Sequence, residues 1–323
     1  MTKDRHPNNS IDPRPALSAS PAPIAASRVS ELLEPHAPRV PLRHLDALWF
    51  QVAGTLCNFT CSHCFISCSP TNRRFGMMTS AEVNEHLLDS VRLGVKEYYF
   101  TGGEPFLNPE FVEIVLRTLE FGPVTILTNA SVLPDDGLRR WKEAEDASCY
   151  GLEFRVSLDG FSPETNDPIR GRGTFWRTMR GLRKLLEYGF LPLVTIVRTW
   201  EPRDERVVVE AFLRQFHDQG YARPRLKILP TIRLGAEVQR THGYAAEERV
   251  TSEMLAGFDL DQLLCHHARL VSDQGVHACP LLLDDPAARL GDRLSDGLGP
   301  VALSAAACHT CYQHGAICSN FAR

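Results

Sequence analysis

The amino-acid sequence predicts an α/β fold, a partial (β/α)6 barrel of the TIM type with a small cysteine-rich C-terminal cap. Three observations lead there. Short apolar runs bounded by turn residues alternate with amphipathic stretches long enough for helical crossovers. Glycine-rich and small polar turns follow several of those runs, where the carboxyl ends of barrel strands form an active face. The cysteines gather at two places, residues 57–68 and residues 265–318. Strands that alternate with crossover helices imply a parallel sheet with its helices outside.

Residues 1–42 are rich in Pro, Ala and Ser, with Pro13, Pro15, Pro21 and Pro23 interrupting any periodicity, and read as a flexible tail. Residues 48–52, Leu-Trp-Phe-Gln-Val, read as the first strand. Thr79-Ser80-Ala81-Glu82 carries a helix-start pattern, and Val83, Leu87, Leu88 and Val91 keep an apolar face up to Gly94. The second strand is expected at 97–100 and its helix at 109–119. Three more pairs follow, 124–128 with 134–146, 153–158 with 174–188, and 193–199 with 204–219. A sixth strand, 225–229, ends at Pro230. These elements put the core at 43–232 and leave 233–323 to cover the open side of the partial barrel.

At 323 residues, with 43% hydrophobic and 23% charged, the chain has room for one large domain and an appendage. A net charge of −4 without a dense Lys/Arg run gives no reason to expect a nucleic-acid surface. The first 38 residues lack an apolar stretch long enough for a signal peptide or a membrane span, so a cytoplasmic location without membrane attachment is expected. Ten cysteines in a reducing compartment argue for metal or redox chemistry rather than disulfides. Cys149, alone in the sequence, is expected as a small core residue.

Cys57, Cys61 and Cys64 have C-x3-C-x2-C spacing. Three thiolates on one short loop reach three corners of a [4Fe–4S] cluster and leave the fourth iron free of protein. Structural zinc, the alternative, takes four protein ligands, for which His63 and Cys68 are near. A bacterial ferredoxin run differs at the first gap and at Cys68, which Ser69 separates from Pro70. The spacing resembles the signature of the radical S-adenosylmethionine (SAM) enzymes. That resemblance implies that the amino and carboxylate groups of SAM chelate the open iron. It also implies one-electron cleavage to a 5′-deoxyadenosyl radical, with an external reductant such as a flavodoxin or ferredoxin. The family places an aromatic ring just before the third cysteine, where this chain has His63.

Gly102-Gly103-Glu104-Pro105 follows the second strand. It reads either as a tight turn or as a place where a ligand approaches backbone closely while the carboxylate accepts from an ammonium. The resemblance makes it the SAM-amine motif. Asn129 ends the third strand, and Ser157 and Asp159 the fourth, as turn residues or as polar groups on the rim. The resemblance puts Ser157 and Asp159 by the SAM ribose and carboxylate and Asn129 on the floor of the site; Ala130 stands where a glycine is usual. Arg170 has a planar fork suited to the SAM carboxylate, or pairs with a surface acid. Arg198 and Lys227 are candidates to face the barrel interior.

Cys265 and Cys279 have thirteen residues between them, followed by Cys308-His309-Thr310-Cys311 and Cys318. A structural zinc site is one reading. The pattern also resembles the SPASM extension, or its smaller twitch form, which carries a second, auxiliary [4Fe–4S] cluster. The twitch arrangement maps onto Cys265, Cys279, Cys308 and Cys311, with Cys318 spare or replacing one of them. The expected function is therefore radical SAM cleavage with hydrogen abstraction from a small-molecule or peptide substrate. Maturation of ribosomally made peptides is one form of it, although residues 1–42 are too short and irregular for a folded leader-binding domain. A non-catalytic iron–sulfur or zinc scaffold or redox sensor is the rival class; it would need neither Gly102-Gly103-Glu104-Pro105 nor Ser157-Leu158-Asp159 at strand ends.

Overall fold

The structure, a computed structural model, describes residues 37–317. In chain order its main elements are β1 (Arg39–Val40), β2 (Ala47–Gln51), α1 (Ser80–Leu93), β3 (Glu97–Thr101), α2 (Phe111–Thr118), β4 (Val124–Thr128), α3 (Asp135–Ala147), β5 (Leu152–Ser157), α4 (Pro163–Arg170), α5 (Thr174–Glu187), β6 (Leu193–Val197), α6 (Glu205–Asp218), β7 (Arg225–Leu229), α7 (Val238–Thr241), β8 (Ala268–Ser272), β9 (Gly275–His277), β10 (Arg289–Gly291), β11 (Val301–Ala302) and α8 (Ala307–His314). Strands β2 to β7 pair in parallel in sequence order, and the sheet ends at β7 on one side and β10 on the other, so the barrel is open.

Both faces of these strands are covered, which is why they read as nearly continuous apolar runs. Leu48, Phe50, Tyr98, Phe100, Ile126 and Phe154 pack outward against the helices. Trp49 and Tyr99 alternate with them and face inward, stacked with ring centroids 4.2 Å apart. The start of α1 follows the sequence closely: Thr79 Oγ1 accepts from the Glu82 amide, the Glu82 carboxylate accepts from the Thr79 amide, and Gly94 closes the helix in the left-handed region at φ 76°. Helix α4 was not expected. It is two turns long and contains Pro168, which reads as a breaker, yet Pro163 in its first turn and a Ser162 capping box start it.

The C-terminal residues extend the same sheet. Strand β8 lies parallel to β2, and the β8–β9 hairpin and β10 continue outward, so the sheet runs across the expected boundary at residue 232. The expected tail ends before residue 42, because Arg39 and Val40 pair antiparallel with Ala302 and Val301; its residues 1–36 lie outside the described residues. Cys149, expected in the core, is exposed at the end of α3. No helix among the described residues is long and apolar enough to cross a membrane.

Candidate active site

The carboxyl ends of the parallel strands meet the cysteine loop around a cavity of about 240 Å3. Cys57, Cys61 and Cys64 all line it, together with His63, Gly102, Gly103, Asn129, Ser157, Arg170 and Lys227. Pro280, Leu281 and Ile317 reach the same wall from the C-terminal region. Arg198, a candidate for the interior, is instead half-exposed and pairs with Glu205 at 2.6 Å.

The loop is held by backbone bonds at both ends. The Cys57 amide donates to Ser69 O at 3.1 Å and the Ser62 amide to Ile169 O at 2.8 Å, so the last turn of α4 fixes the middle of the loop. Donors also point at sulfur. Phe59 N lies 3.4 Å and Asn129 Nδ2 3.9 Å from Cys57 Sγ, and Cys68 N lies 3.3 Å from Cys64 Sγ. Burial pushes the Cys57 thiol up to about 12 and the Cys61 thiol up to about 11. Cys64 is drawn below the usual thiol range, chiefly because the Cys68 thiol hydrogen-bonds to it. That contact, invisible in the spacing, gives Cys68 a place in the second layer of the loop. Amide donors on thiolates are what an iron–sulfur site uses to orient and tune its ligands, so the donor set fits a cluster.

Behind the wall stand two fully buried carboxylates. Glu104 accepts from Thr128 Oγ1 at 2.6 Å and from the Asn129 amide at 2.8 Å, which braces the end of β3 to the end of β4. Desolvation is the largest influence on it and raises its pKa to about 7. Gly103 is required by the chain itself: a Cβ there would sit 2.0 Å from Leu56 O, so strand end and cysteine loop touch backbone to backbone. Asp159 is the second. Its Oδ2 lies 2.7 Å from His63 Nε2 and 2.5 Å from Arg170 Nε, the latter off line for a hydrogen bond and hence an ion contact, and its Oδ1 accepts from the Val197 amide at 2.7 Å. Burial opposes its charge, but Arg170 and His63 outweigh it and hold Asp159 well below the usual carboxylate range. The sequence flagged His63, Asp159 and Arg170 separately; their closure into one buried cluster is a product of the fold.

Further residues line the cavity that no motif singled out. Thr195 is one; it shares a register row across β5, β6 and β7 with Ser157 and Lys227, both flagged from the sequence. Arg155 lies over the Tyr99 ring at 5.3 Å, and Trp49 Nε1 is buried without a hydrogen-bond partner. Only an alternation count through each strand would have put these side chains inside. Ala130 adopts φ 56°, which accounts for the glycine usual at that position.

The second cysteine group also comes together. Cys265, Cys279, Cys308 and Cys311 line one small cavity whose other walls are Leu, Ala and Val side chains. Burial is the main influence on each thiol and raises all of them, Cys279 to about 12. Four thiols converging on an apolar space fit a cluster better than a polar contact. Cys318 lies outside the described residues. Among the described residues no three His, Cys, Asp or Glu side chains converge tightly enough for a single metal ion.

Residues 52–200 match the Radical SAM superfamily. The chain is 32% identical over 150 residues to GTP 3′,8-cyclase of Microcystis aeruginosa, covering 42% of this chain and 43% of that one. It is 31% identical over 136 residues to mycofactocin maturase MftC of Mycobacterium tuberculosis, covering 42% and 33%. The chain thus spans well under half the length of these relatives. Among solved structures, anSMEcpe with bound AdoMet aligns with a TM-score of 0.57 at 18% identity, covering 80% of this chain and 77% of that one. SuiB of Streptococcus suis bound to S-adenosylmethionine aligns with a TM-score of 0.55 at 14% identity, covering 75% and 62%. At such identities the structures speak for the fold alone, an α/β parallel sheet of the same kind. The matched residues take in the cysteine loop and strands β3 to β6 of that sheet, so over residues 52–200 this chain is similar to the Radical SAM superfamily.

Proposed function

We propose that this chain cleaves SAM reductively at a [4Fe–4S] cluster held by Cys57, Cys61 and Cys64 and abstracts hydrogen from a small-molecule or peptide substrate. The observation that carries the reading is one wall: three thiols with amide donors on them, facing a cavity shared with Gly102, Gly103, Asn129, Ser157 and Arg170. When bound, the cluster and SAM supply the one-electron chemistry that makes the 5′-deoxyadenosyl radical, and an external donor such as a flavodoxin or ferredoxin supplies the electron.

The protein's part is to orient and to exclude water. Arg170, anchored by Asp159, takes the SAM carboxylate, and His63 is pinned by the same acid. Glu104 holds the Thr128–Asn129 turn in place, so its part in binding the SAM amine runs through Gly103 and Asn129 as well as through charge. Ser157, beside Thr195, offers a hydroxyl to the ribose. Phe59, Phe65, Ile66, Leu127 and Leu229 give the cavity a largely apolar wall that keeps a reactive radical from solvent. Cys265, Cys279, Cys308 and Cys311 hold an auxiliary [4Fe–4S] cluster on the substrate side, with Cys318 spare or replacing one of them, and the protein works in the cytoplasm.

A peptide-maturase reading draws support from the relative named mycofactocin maturase and from the fold shared with SuiB, also solved with its precursor peptide SuiA; the GTP 3′,8-cyclase relatives support a small molecule. The test is anaerobic reconstitution followed by reduction in the presence of SAM. Slow release of 5′-deoxyadenosine and methionine without substrate is expected, and should disappear when Cys57, Cys61 and Cys64 are changed together to Ala. Zinc in place of iron, with no charge-transfer absorbance, would sink the assignment.

A further inference from the structure

Three arginines are buried among the described residues, Arg155, Arg170 and Arg269. The first two contact Glu153 and Asp159. Arg269 on β8 is 0% exposed, and among the described residues no carboxylate comes within ion-pair distance of it. Its guanidinium is satisfied by backbone carbonyls alone. Nε donates to Gly297 O at 2.6 Å, Nη1 to Cys265 O at 2.6 Å and Ala268 O at 2.7 Å, and Nη2 to Gly299 O at 3.0 Å. Carbonyl dipoles satisfy its hydrogen bonds but leave a full positive charge in a desolvated place, which folded proteins rarely tolerate without an anion.

One of those carbonyls belongs to Cys265, whose thiol lines the cavity shared with Cys279, Cys308 and Cys311. As free thiols these four would be neutral and offer the arginine nothing. As the ligands of a [4Fe–4S] cluster they become thiolates, and with the four sulfides they outweigh the irons, so the centre is a net anion. We propose that Arg269 is the built-in counter-charge of the auxiliary centre, holding it in place and favouring its reduced, more negative form. The inference rests on the reading of Cys265, Cys279, Cys308 and Cys311 as cluster ligands. It makes Arg269 a positioning residue that acts through the backbone of Cys265 and through its field.

The test uses full-length protein in which Cys57, Cys61 and Cys64 are Ala, so that only the second centre is observed. Iron is measured first, with about four per chain expected; its absence, whether the site is empty or holds zinc, overturns the cluster reading and the Arg269 role with it. Arg269→Lys and Arg269→Gln are then compared by iron content and by a redox titration followed by electron paramagnetic resonance. Lys keeps the charge with fewer donors, and Gln keeps two donors without the charge. Expected is near-normal iron in Arg269→Lys, and in Arg269→Gln either loss of the centre or a reduction equilibrium weaker by at least tenfold, about 59 mV for one electron. Equal behaviour of the two variants, whether both lose iron or both keep the original potential, overturns the proposal and leaves Arg269 a brace for carbonyls. An unchanged potential in Arg269→Gln overturns it too, while the cluster reading stands.

Discussion

Glu104 is a carboxylate fully shielded from solvent whose oxygens are met by Thr128 and the Asn129 amide. Its pKa rises from 4.5 to about 7 in the fold because desolvation exceeds the help of those donors. The folded chain therefore keeps this proton at pH values where the unfolded chain has lost it. Raising pH from about 4.5 to about 7 then pulls the equilibrium toward unfolding, by at most about 3 kcal/mol at 1.36 kcal/mol per unit. Glu104→Gln cannot titrate and leaves the Asn129 amide poorly met. We expect it to be less stable than the parent at pH 5, with the gap in melting temperature narrowing toward pH 8. A gap independent of pH would show that Glu104 is ionised throughout. The sequence singled out Glu104 by its motif, but burial sets its proton, and burial is a property of the packed strand ends.

Helix α5 shows how an element with no catalytic residue supports the site. Thr178 Oγ1 donates to Asn129 O at 3.0 Å, and a Cβ on Gly181 would lie 1.9 Å from Ala130 O, so the helix presses on the turn that carries Asn129. Asn129 in turn reaches Cys57 Sγ and Asn58. Gly181→Ala should therefore force the helix or the turn to move, at a cost of about 1–3 kcal/mol from overpacking. It should also lower the iron retained at the first centre, whereas Gly173→Ala, where nothing lies within 4 Å of the added carbon, should leave iron unchanged despite its strained φ of 76°. Equal iron in all three proteins would uncouple α5 from the cysteine loop. The periodicity of residues 174–188 was enough to predict this helix, but not which of its glycines meets the site.

For the whole molecule, the question is whether the two cysteine groups divide the work. The first group of cysteines lies on a loop after β2, and the second spans short 3-10 turns, strands and helix α8 of a region that rejoins the sheet beside β2 through β8. Reconstituted protein should hold about eight irons, and Cys308→Ala with Cys311→Ala should hold about four. That double variant should still release 5′-deoxyadenosine from SAM but fail to convert the true substrate, provided melting curves show the sheet intact. Full substrate turnover would make the second site a dispensable staple. Because β8 to β10 share the sheet with the barrel, loss of the second metal should also lower the melting temperature of the molecule as a single transition rather than release a separate domain.

What the sequence determined by itself is what depends on local pattern. Apolar runs of five or six residues set the strands, the Thr79 and Glu82 pair and Gly94 set the ends of α1, and C-x3-C-x2-C brought three thiols to one cavity, because spacing along a short segment limits what they can reach. Tertiary structure alone decided matters that depend on residues far apart in the chain. It joined His63, Asp159 and Arg170 in one buried cluster, turned Glu104 into a brace, sent Arg198 outward to Glu205 and left Cys149 exposed. It also laid β8 on β2 and closed Arg269 in beneath the second set of cysteines. The physical reason is desolvation: a charge or a thiol acquires its character from what excludes water around it, and those neighbours come from strands and loops that only the folded sheet brings together.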